Sequence, residues 1–167
     1  MTEKETIFDS KLKQTGIFNF NEFYNFCYTF LKDELNLDVA ESKYSEKITG
    51  DSKEIKIKWE GVRKVTDYFR YNITIEYMIS MLKDVEVAKG GGKIKTNSGI
   101  IEMKVKGTLE RDYKGKFERN AFLKFLRSIY EKWVISARID QFEEQLFGDC
   151  DEFLAQAKAY LDLEGKR

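Results

Sequence analysis

The sequence contains neither proline nor histidine, and it has two cysteines among 167 residues. Without histidine, the chain lacks the commonest general base and the commonest ligand of catalytic zinc. The two cysteines, Cys27 and Cys150, are too few for a structural zinc site, and lone thiols indicate a reducing compartment, although a disulfide between them stays open. These absences exclude Ser-His triads and most metal sites. We therefore predict no catalytic residues, no bound metal and no cofactor.

The chain also lacks a dominant charge and a long apolar run. Lys+Arg and Asp+Glu both number 29, so net charge gives no indication of a nucleic-acid or membrane partner. The distribution is uneven: 89–116 holds eight basic and three acidic residues, whereas 140–164 holds eight acidic and one basic. There is no run of 18 apolar residues and no recognisable signal peptide. We expect a cytoplasmic protein without membrane contact, folded as a single domain over residues 1–167.

The most regular pattern lies in residues 69–81, FRYNITIEYMISM, where every odd position is large and apolar. Residues 101–113 show the same alternation, and side chains on a strand alternate between its two faces. The two segments are predicted to pair as an antiparallel hairpin through the glycines at 90–92, which accept positive φ angles. A β-bulge near 96–99 would bring both apolar sets to one face. In that register Ile73 lies opposite Leu109, and Tyr71 lies opposite Arg111.

The other segments complete a predicted α+β fold. Weaker alternation predicts strands over 7–17, 43–49 and 53–60, with Tyr44 opposite Trp59 and Trp59 opposite Phe69. Asn19 or Asn21 is expected to cap an N-terminal helix, and Asn120 a second helix. A third helix is expected to begin at Asp149, after a break at Gly148. The predicted architecture is a single antiparallel meander sheet of four to five long strands, covered by an N-terminal helix and two C-terminal helices.

Arg111 is the one charged residue that strand parity points towards the apolar side. There it would lie near Tyr71 and Tyr113, either stacked on an aromatic ring at the rim of the core or binding an anion in a cleft. A ligand site on this side of the sheet would comprise Arg111, Tyr71, Tyr113 and Trp59. Glu110 and Asp112 fall on the solvent-facing parity, and no carboxylate pair has a spacing that indicates acid–base catalysis. We do not expect an enzyme.

The C-terminal third carries two apolar stripes at helical spacing. The first consists of Phe122, Leu126, Ile129, Tyr130, Trp133 and Ala137. The second consists of Ile135, Ile139, Phe142 and Leu146, and it is rotated by well over 100° from the first. One straight helix cannot present both stripes to the same sheet, so it either bends near Ser136 or packs its far half elsewhere. The second stripe is a candidate interface with another copy or another protein, unless the last helix covers it.

Three segments, 43–77, 107–133 and 156–167, resemble a family of small uncharacterised archaeal proteins. That resemblance brings no activity and no site residues with it. The order of elements, with one helix before a long meander and another after it, also looks like the helix-grip ligand-binding domains. This second likeness concerns the fold alone and implies no particular ligand.

Three functions follow from these patterns. The first is a non-catalytic interaction or assembly protein that binds itself or another protein. The second is a carrier of an apolar, lipid-like molecule, held in a cavity between sheet and helices. The third is nucleic-acid binding through the lysines of the outer sheet face (Lys56, Lys58, Lys104 and Lys106). It is disfavoured because glutamates interleave with these lysines and the aromatic residues point the other way.

Overall fold

Five long strands form one antiparallel sheet that organises the chain. The computed structural model describes residues 3–165. The strands are β1 (Glu3–Phe18), β2 (Asp38–Thr49), β3 (Ser52–Lys64), β4 (Phe69–Lys89) and β5 (Gly92–Arg111). Their order in the sheet is β1-β5-β4-β3-β2, so β2 to β5 form a meander and β1 pairs with the last strand. The predicted antiparallel α+β fold is confirmed.

Three helices accompany the sheet. They are α1 (Phe20–Thr29), α2 (Ala121–Ile129) and α3 (Ser136–Gly165). Both α1 and α2 end in one π-helical turn, over Phe30–Glu34 and Tyr130–Val134. The side chain of Asn19 accepts a hydrogen bond from the backbone N–H of Glu22, and that of Asn120 from Leu123, which confirms the predicted caps. The helical path breaks at Ile135, which corresponds to the bend near Ser136, one of the two arrangements that the sequence left open.

The predicted break at Gly148 is wrong, because α3 runs through it as one helix of 30 residues. The buried side chains of α3 continue at helical spacing on both sides of the glycine; they include Leu146, Cys150, Phe153, Ala157 and Leu161. Packing of this continuous apolar stripe outweighs the low helix propensity of one glycine. Asp149 consequently lies inside the helix and does not begin it.

Replacing Gly148 with alanine should therefore stabilise the protein. Gly148 is exposed in mid-helix and has no atom within 4 Å of an added Cβ. Glycine inside a helix costs about 0.5–1 kcal/mol relative to alanine, so we expect a gain of that size in urea denaturation. Gly115→Ala is the matched control, since that site is equally open but has φ +68. There alanine should destabilise by about 1 kcal/mol. A loss of stability in Gly148→Ala would contradict the continuous helix.

The pairing of β4 with β5 is confirmed, but its register differs from the prediction by two residues. Ile73 pairs with Gly107, and Tyr71 pairs with Leu109. The bulge lies on β4, between Ser80 and Lys83, and not on β5. Gly99 lies opposite the bulge. A Cβ at this position would lie 3.0 Å from the carbonyl oxygen of Ser80, so the absence of a side chain allows the bulged strand to approach. Beyond the bulge the parity changes, which leaves Met81 exposed and buries Leu82.

The predicted partners of β3 are also wrong. Trp59 pairs with Glu41 on one side and Ile75 on the other, instead of Tyr44 and Phe69. A second irregularity, between Glu41 and Lys43, shifts the register of β2. As an edge strand with exposed side chains along most of its length, β2 gains nothing from matching apolar residues across the pair.

One face of the sheet is buried beneath α1 and α3. Side chains at odd positions of β3, β4 and β5 meet those of both helices in a single core cluster. The helix α3 approaches the sheet closely at Gly107, where an added Cβ would lie 2.7 Å from Sγ of Cys150. Both cysteines are buried and free, so no disulfide joins Cys27 to Cys150.

Candidate functional site

The four predicted ligand residues do not line one cavity. Trp59 lies far along the sheet, opposite Ile75, and its Nε1 donates a hydrogen bond to Glu41. The hydroxyl of Tyr71 donates to the backbone carbonyl of Phe142 (2.9 Å), and that of Tyr113 donates to the carbonyl of Thr66 (2.9 Å). The polar groups of these three residues therefore have partners inside the chain. At Gly107, α3 closes directly onto the same face of the sheet.

Arg111 is surrounded by carboxylates and not by aromatic rings. Its guanidinium forms ion pairs with Glu3 (3.4 Å), Glu5 (3.6 Å) and Glu131 (3.4 Å). The cation that stacks on the ring of Tyr113 is Arg70, at 5.1 Å from the ring centroid. Three neighbouring carboxylates already neutralise Arg111, so this arrangement disfavours a bound anion.

Glu110 and Asp112 are both buried, which corrects the solvent-facing positions predicted for them. Glu110 accepts hydrogen bonds from Arg70 (2.8 Å) and Asn72 (2.8 Å) of the neighbouring strand, and these side chains cover it. Asp112 follows β5 with φ +52 and accepts from the backbone N–H of Lys116 and of Phe117. Both carboxylates thus fix local structure.

The second apolar stripe is covered within one chain. Ile135, Ile139, Phe142 and Leu146 are all buried, because the bend at Ile135 lets α3 turn them towards the sheet. These four predicted interface residues therefore belong to the core and offer no surface to a partner. The sequence left open that the last helix covers this stripe. The stripe is covered inside the chain, but by the sheet, because Ile139, Phe142 and Leu146 belong to the last helix themselves.

The first stripe is the exposed one. Five large apolar side chains on α2 and its π-helical turn point to solvent: Phe122 (66% exposed), Phe125 (59%), Leu126 (36%), Ile129 (40%) and Trp133 (73%). We call these five residues the α2 face. Their spacing places them along one side of the helix. No residue of α2 is buried, so the helix rests against the body without entering the core.

The opposite side of α2 is held to the body by charged and aromatic contacts. Arg127 forms ion pairs with Glu3 of β1 (3.1 Å), with Glu118 (3.3 Å) and with the buried Asp112 (3.7 Å). Glu131 pairs with Arg111 and accepts a hydrogen bond from the hydroxyl of Tyr68. An amphipathic helix normally turns its apolar side inwards. In α2 the polarity is reversed, with charged groups inwards and apolar groups outwards.

Tyr68 belongs to the same contact region. Its ring packs edge-on against Tyr130 (5.6 Å between centroids) and against Phe117 (6.1 Å). Burial, reinforced by the hydrogen bond to Glu131, raises the pKa of the Tyr68 hydroxyl well above its usual range. The phenol therefore stays protonated at physiological pH and works as a fixed donor that anchors the π-helical turn.

No protein-family model, curated protein or solved structure gives a significant match to this chain. The resemblance to an archaeal family, and the helix-grip analogy, stay predictions. Function is therefore inferred from the surfaces of the molecule itself.

The exposed charged side chains of the segment that carries the α2 face have one sign. In the described segment 113–138, every exposed charged side chain is basic: Lys114, Lys116, Arg119, Lys124, Lys132 and Arg138. The two acidic residues of that segment, Glu118 and Glu131, are partly buried in the ion pairs with Arg127 and Arg111. Within this segment the exposed charge is thus positive, while the exposed acid Asp67 lies 3.1 Å from Lys114.

The outer face of the sheet offers a different environment. A groove of about 430 Å³ is lined by lysines and glutamates together, including Lys56, Lys58, Lys104, Glu76 and Glu102. Lys56 lies 3.7 Å from Glu54, and Lys58 lies 3.8 Å from Glu60. Alternating charges of this kind are typical of a solvated sheet face and do not track a phosphate backbone.

The sequence pattern contained the α2 face without revealing its exposure. Phe122, Leu126, Ile129 and Trp133 are recognisable in the sequence as an apolar stripe, but their spacing does not say whether the sheet covers it. The available signal was the pair of stripes itself, because one straight helix cannot present both of them to the same sheet. Which stripe remains outside is decided by contacts that are distant in sequence, such as Arg127 with Glu3.

Proposed function

We propose that this protein is a non-catalytic interaction module that binds its partner through the α2 face. The observation that carries the proposal is the reversed polarity of α2. Arg127 and Glu131 anchor the helix, while Phe122, Phe125 and Trp133 are each more than half exposed. Side chains this exposed contribute little to the core of one chain, so their apolar character fits contact with a partner.

The size of the face supports a binding role. Large side chains offer about 200 Å² each, so the exposed fractions of the five residues amount to on the order of 500 Å² of apolar surface. Monomeric proteins rarely expose contiguous apolar patches beyond a few hundred Å², and patches of this size commonly mark interaction sites. Exposing such a surface to water is unfavourable, which gives a partner that covers it a substantial driving force.

Site-specific crosslinking tests this function. A benzoylphenylalanine residue placed at Phe125 should form adducts in the native cells, because its ring would lie at the covered surface. Tyr44, which is 50% exposed on the edge strand β2, is the matched aromatic control position. Adducts at position 125 and not at 44 are expected. Equal or no labelling at the two positions would overturn the proposal that the α2 face is the binding surface.

A further inference from the structure

We propose that the partner of the α2 face is an anionic lipid surface. This inference rests on the proposed function and specifies the chemical class of the partner that binds the α2 face. It departs from the expectation that the protein does not contact a membrane. That expectation relied on net charge and on the absence of a long apolar run. Neither criterion can detect a short helix with exposed apolar side chains. No helix among the described residues is long and apolar enough to cross a bilayer, so the contact would be peripheral.

The shape of the α2 face fits a bilayer surface. Phe122 and Trp133, near the two ends of the face, are each at least two-thirds exposed, so they protrude from the body. The helical rise puts them about 17 Å apart. Because the anchoring side of α2 faces the body, all five apolar side chains can enter the headgroup boundary together while the helix lies parallel to the membrane. Tryptophan and phenylalanine are typical of helices that bind in this way.

The charges around the face fit a negative surface. Lys116, Arg119, Lys124 and Lys132 are exposed, and no exposed acid accompanies them within the described segment 113–138. Lys114 is paired with Asp67 and is left out of this set. Each basic residue held near an anionic bilayer strengthens binding by about five-fold.

A second copy of the chain fits the face less well. Pairing two α2 faces about a two-fold axis would bring two basic rims together, and like charges across an interface are unfavourable. The observations favour the lipid surface, and association between proteins becomes an outcome of the test.

Trp133 allows the inference to be tested directly. The chain has two tryptophans, and Trp59 is fully buried, so a change in fluorescence on binding reports Trp133. With vesicles of phosphatidylcholine and phosphatidylglycerol, we expect a blue shift of the emission and co-flotation of the protein. Vesicles of phosphatidylcholine alone, or high salt, should weaken both. Trp133→Phe should remove the shift and keep the flotation.

Substitutions separate the apolar from the charged contribution. Phe125→Glu combined with Ile129→Glu should abolish flotation while near-ultraviolet circular dichroism shows an intact fold, and Tyr44→Glu on β2 should float as the parent does. Lys124→Gln combined with Lys132→Gln should weaken binding to anionic vesicles about 30-fold.

Three outcomes would overturn the lipid inference. In the first two the proposed interaction function still holds, and in the third it fails as well. If Trp133 shifts with protein concentration alone and anionic vesicles have no effect, the partner is a second copy and the interaction function stands. If vesicles have no effect and the crosslinker at position 125 labels another protein, the partner is that protein. If vesicles fail and position 125 labels nothing above the control, the lipid inference and the proposed function both fail.

Discussion

Above pH 9, the free energy of unfolding should fall by about 1.4 kcal/mol per pH unit for each of the two buried thiols. Burial raises the pKa of Cys27 from its usual 9.0 to about 12, and it raises that of Cys150 equally. Both side chains are fully shielded from solvent, Cys27 on α1 and Cys150 on α3. Water screening therefore does little to reduce the effect.

The direction follows from proton binding in the two states. The folded protein keeps both thiols protonated up to about pH 12, whereas the unfolded chain loses these protons above its ordinary thiol pKa of 9.0. The stabilising contribution is therefore complete below pH 9 and is lost between pH 9 and 12. Together the two thiols remove about 2.7 kcal/mol per pH unit. Small proteins are stable by about 5–15 kcal/mol, so unfolding should begin well before pH 12.

Tyrosines add to the loss at the upper end of this range. Burial, together with the carboxylate of Glu41, raises the pKa of Tyr24 from 10.0 to about 12, and burial does the same for Tyr71. Their contribution is present below pH 10 and is lost above it. The slope of stability against pH should therefore steepen near pH 10.

Urea unfolding at several pH values between 7 and 11, under reducing conditions, measures this slope. Cys27→Ala and Cys150→Ala should each flatten the slope between pH 9 and 10 by about half. Each variant also loses packing in the core, but that loss is the same at every pH and does not alter the slope. An unchanged slope in the double variant would show that the thiols are not the groups responsible.

Much of the fold was predictable because side chains alternate between the two faces of a strand every second residue. An error of two residues in register therefore leaves each side chain on its correct face. The predicted and observed registers of β4 and β5 differ by two residues, so the same side chains face the core in both. What the pattern cannot supply is the strand that carries the bulge, since an extra residue on either strand restores a common face. The error appears where parity changes, at Met81 and Leu82. The edge strand β2 was mispaired because its side chains have little burial to specify a register.

The site was harder to predict because it depends on contacts between distant segments. Strand parity correctly turned Arg111 away from solvent, but its partners Glu3 and Glu131 come from opposite ends of the chain. Similarly, helical spacing identifies an apolar stripe on α2 but does not say whether anything covers it. The orientation of α2 is fixed by Arg127, which forms ion pairs with Glu3 and Asp112. These ion pairs turn the charged side of α2 towards the body and leave the apolar side exposed.

Gly107→Ala should destabilise the protein by about 1–3 kcal/mol, as overpacking of a close contact does. The added Cβ would lie 2.7 Å from Sγ of Cys150, while the atoms of Leu146 would remain at an ordinary 3.5 Å. The sulfur is thus the single obstacle among the nearest atoms. In a Cys150→Ala background the same substitution should be neutral or slightly stabilising, because alanine lowers the entropy of the unfolded chain relative to glycine.

A double-mutant cycle, measured by urea denaturation at pH 7, tests this contact. We expect the double variant to be more stable than the sum of the two single losses by about 1–3 kcal/mol. Additive losses would mean that α3 does not approach β5 at Gly107. The consequence reaches the α2 face, because α3 begins at Ser136, directly after the π-helical turn that carries Trp133. If α3 is displaced from Gly107, the covered stripe at Ile135 and the exposed face beside it both lose the support that fixes their positions.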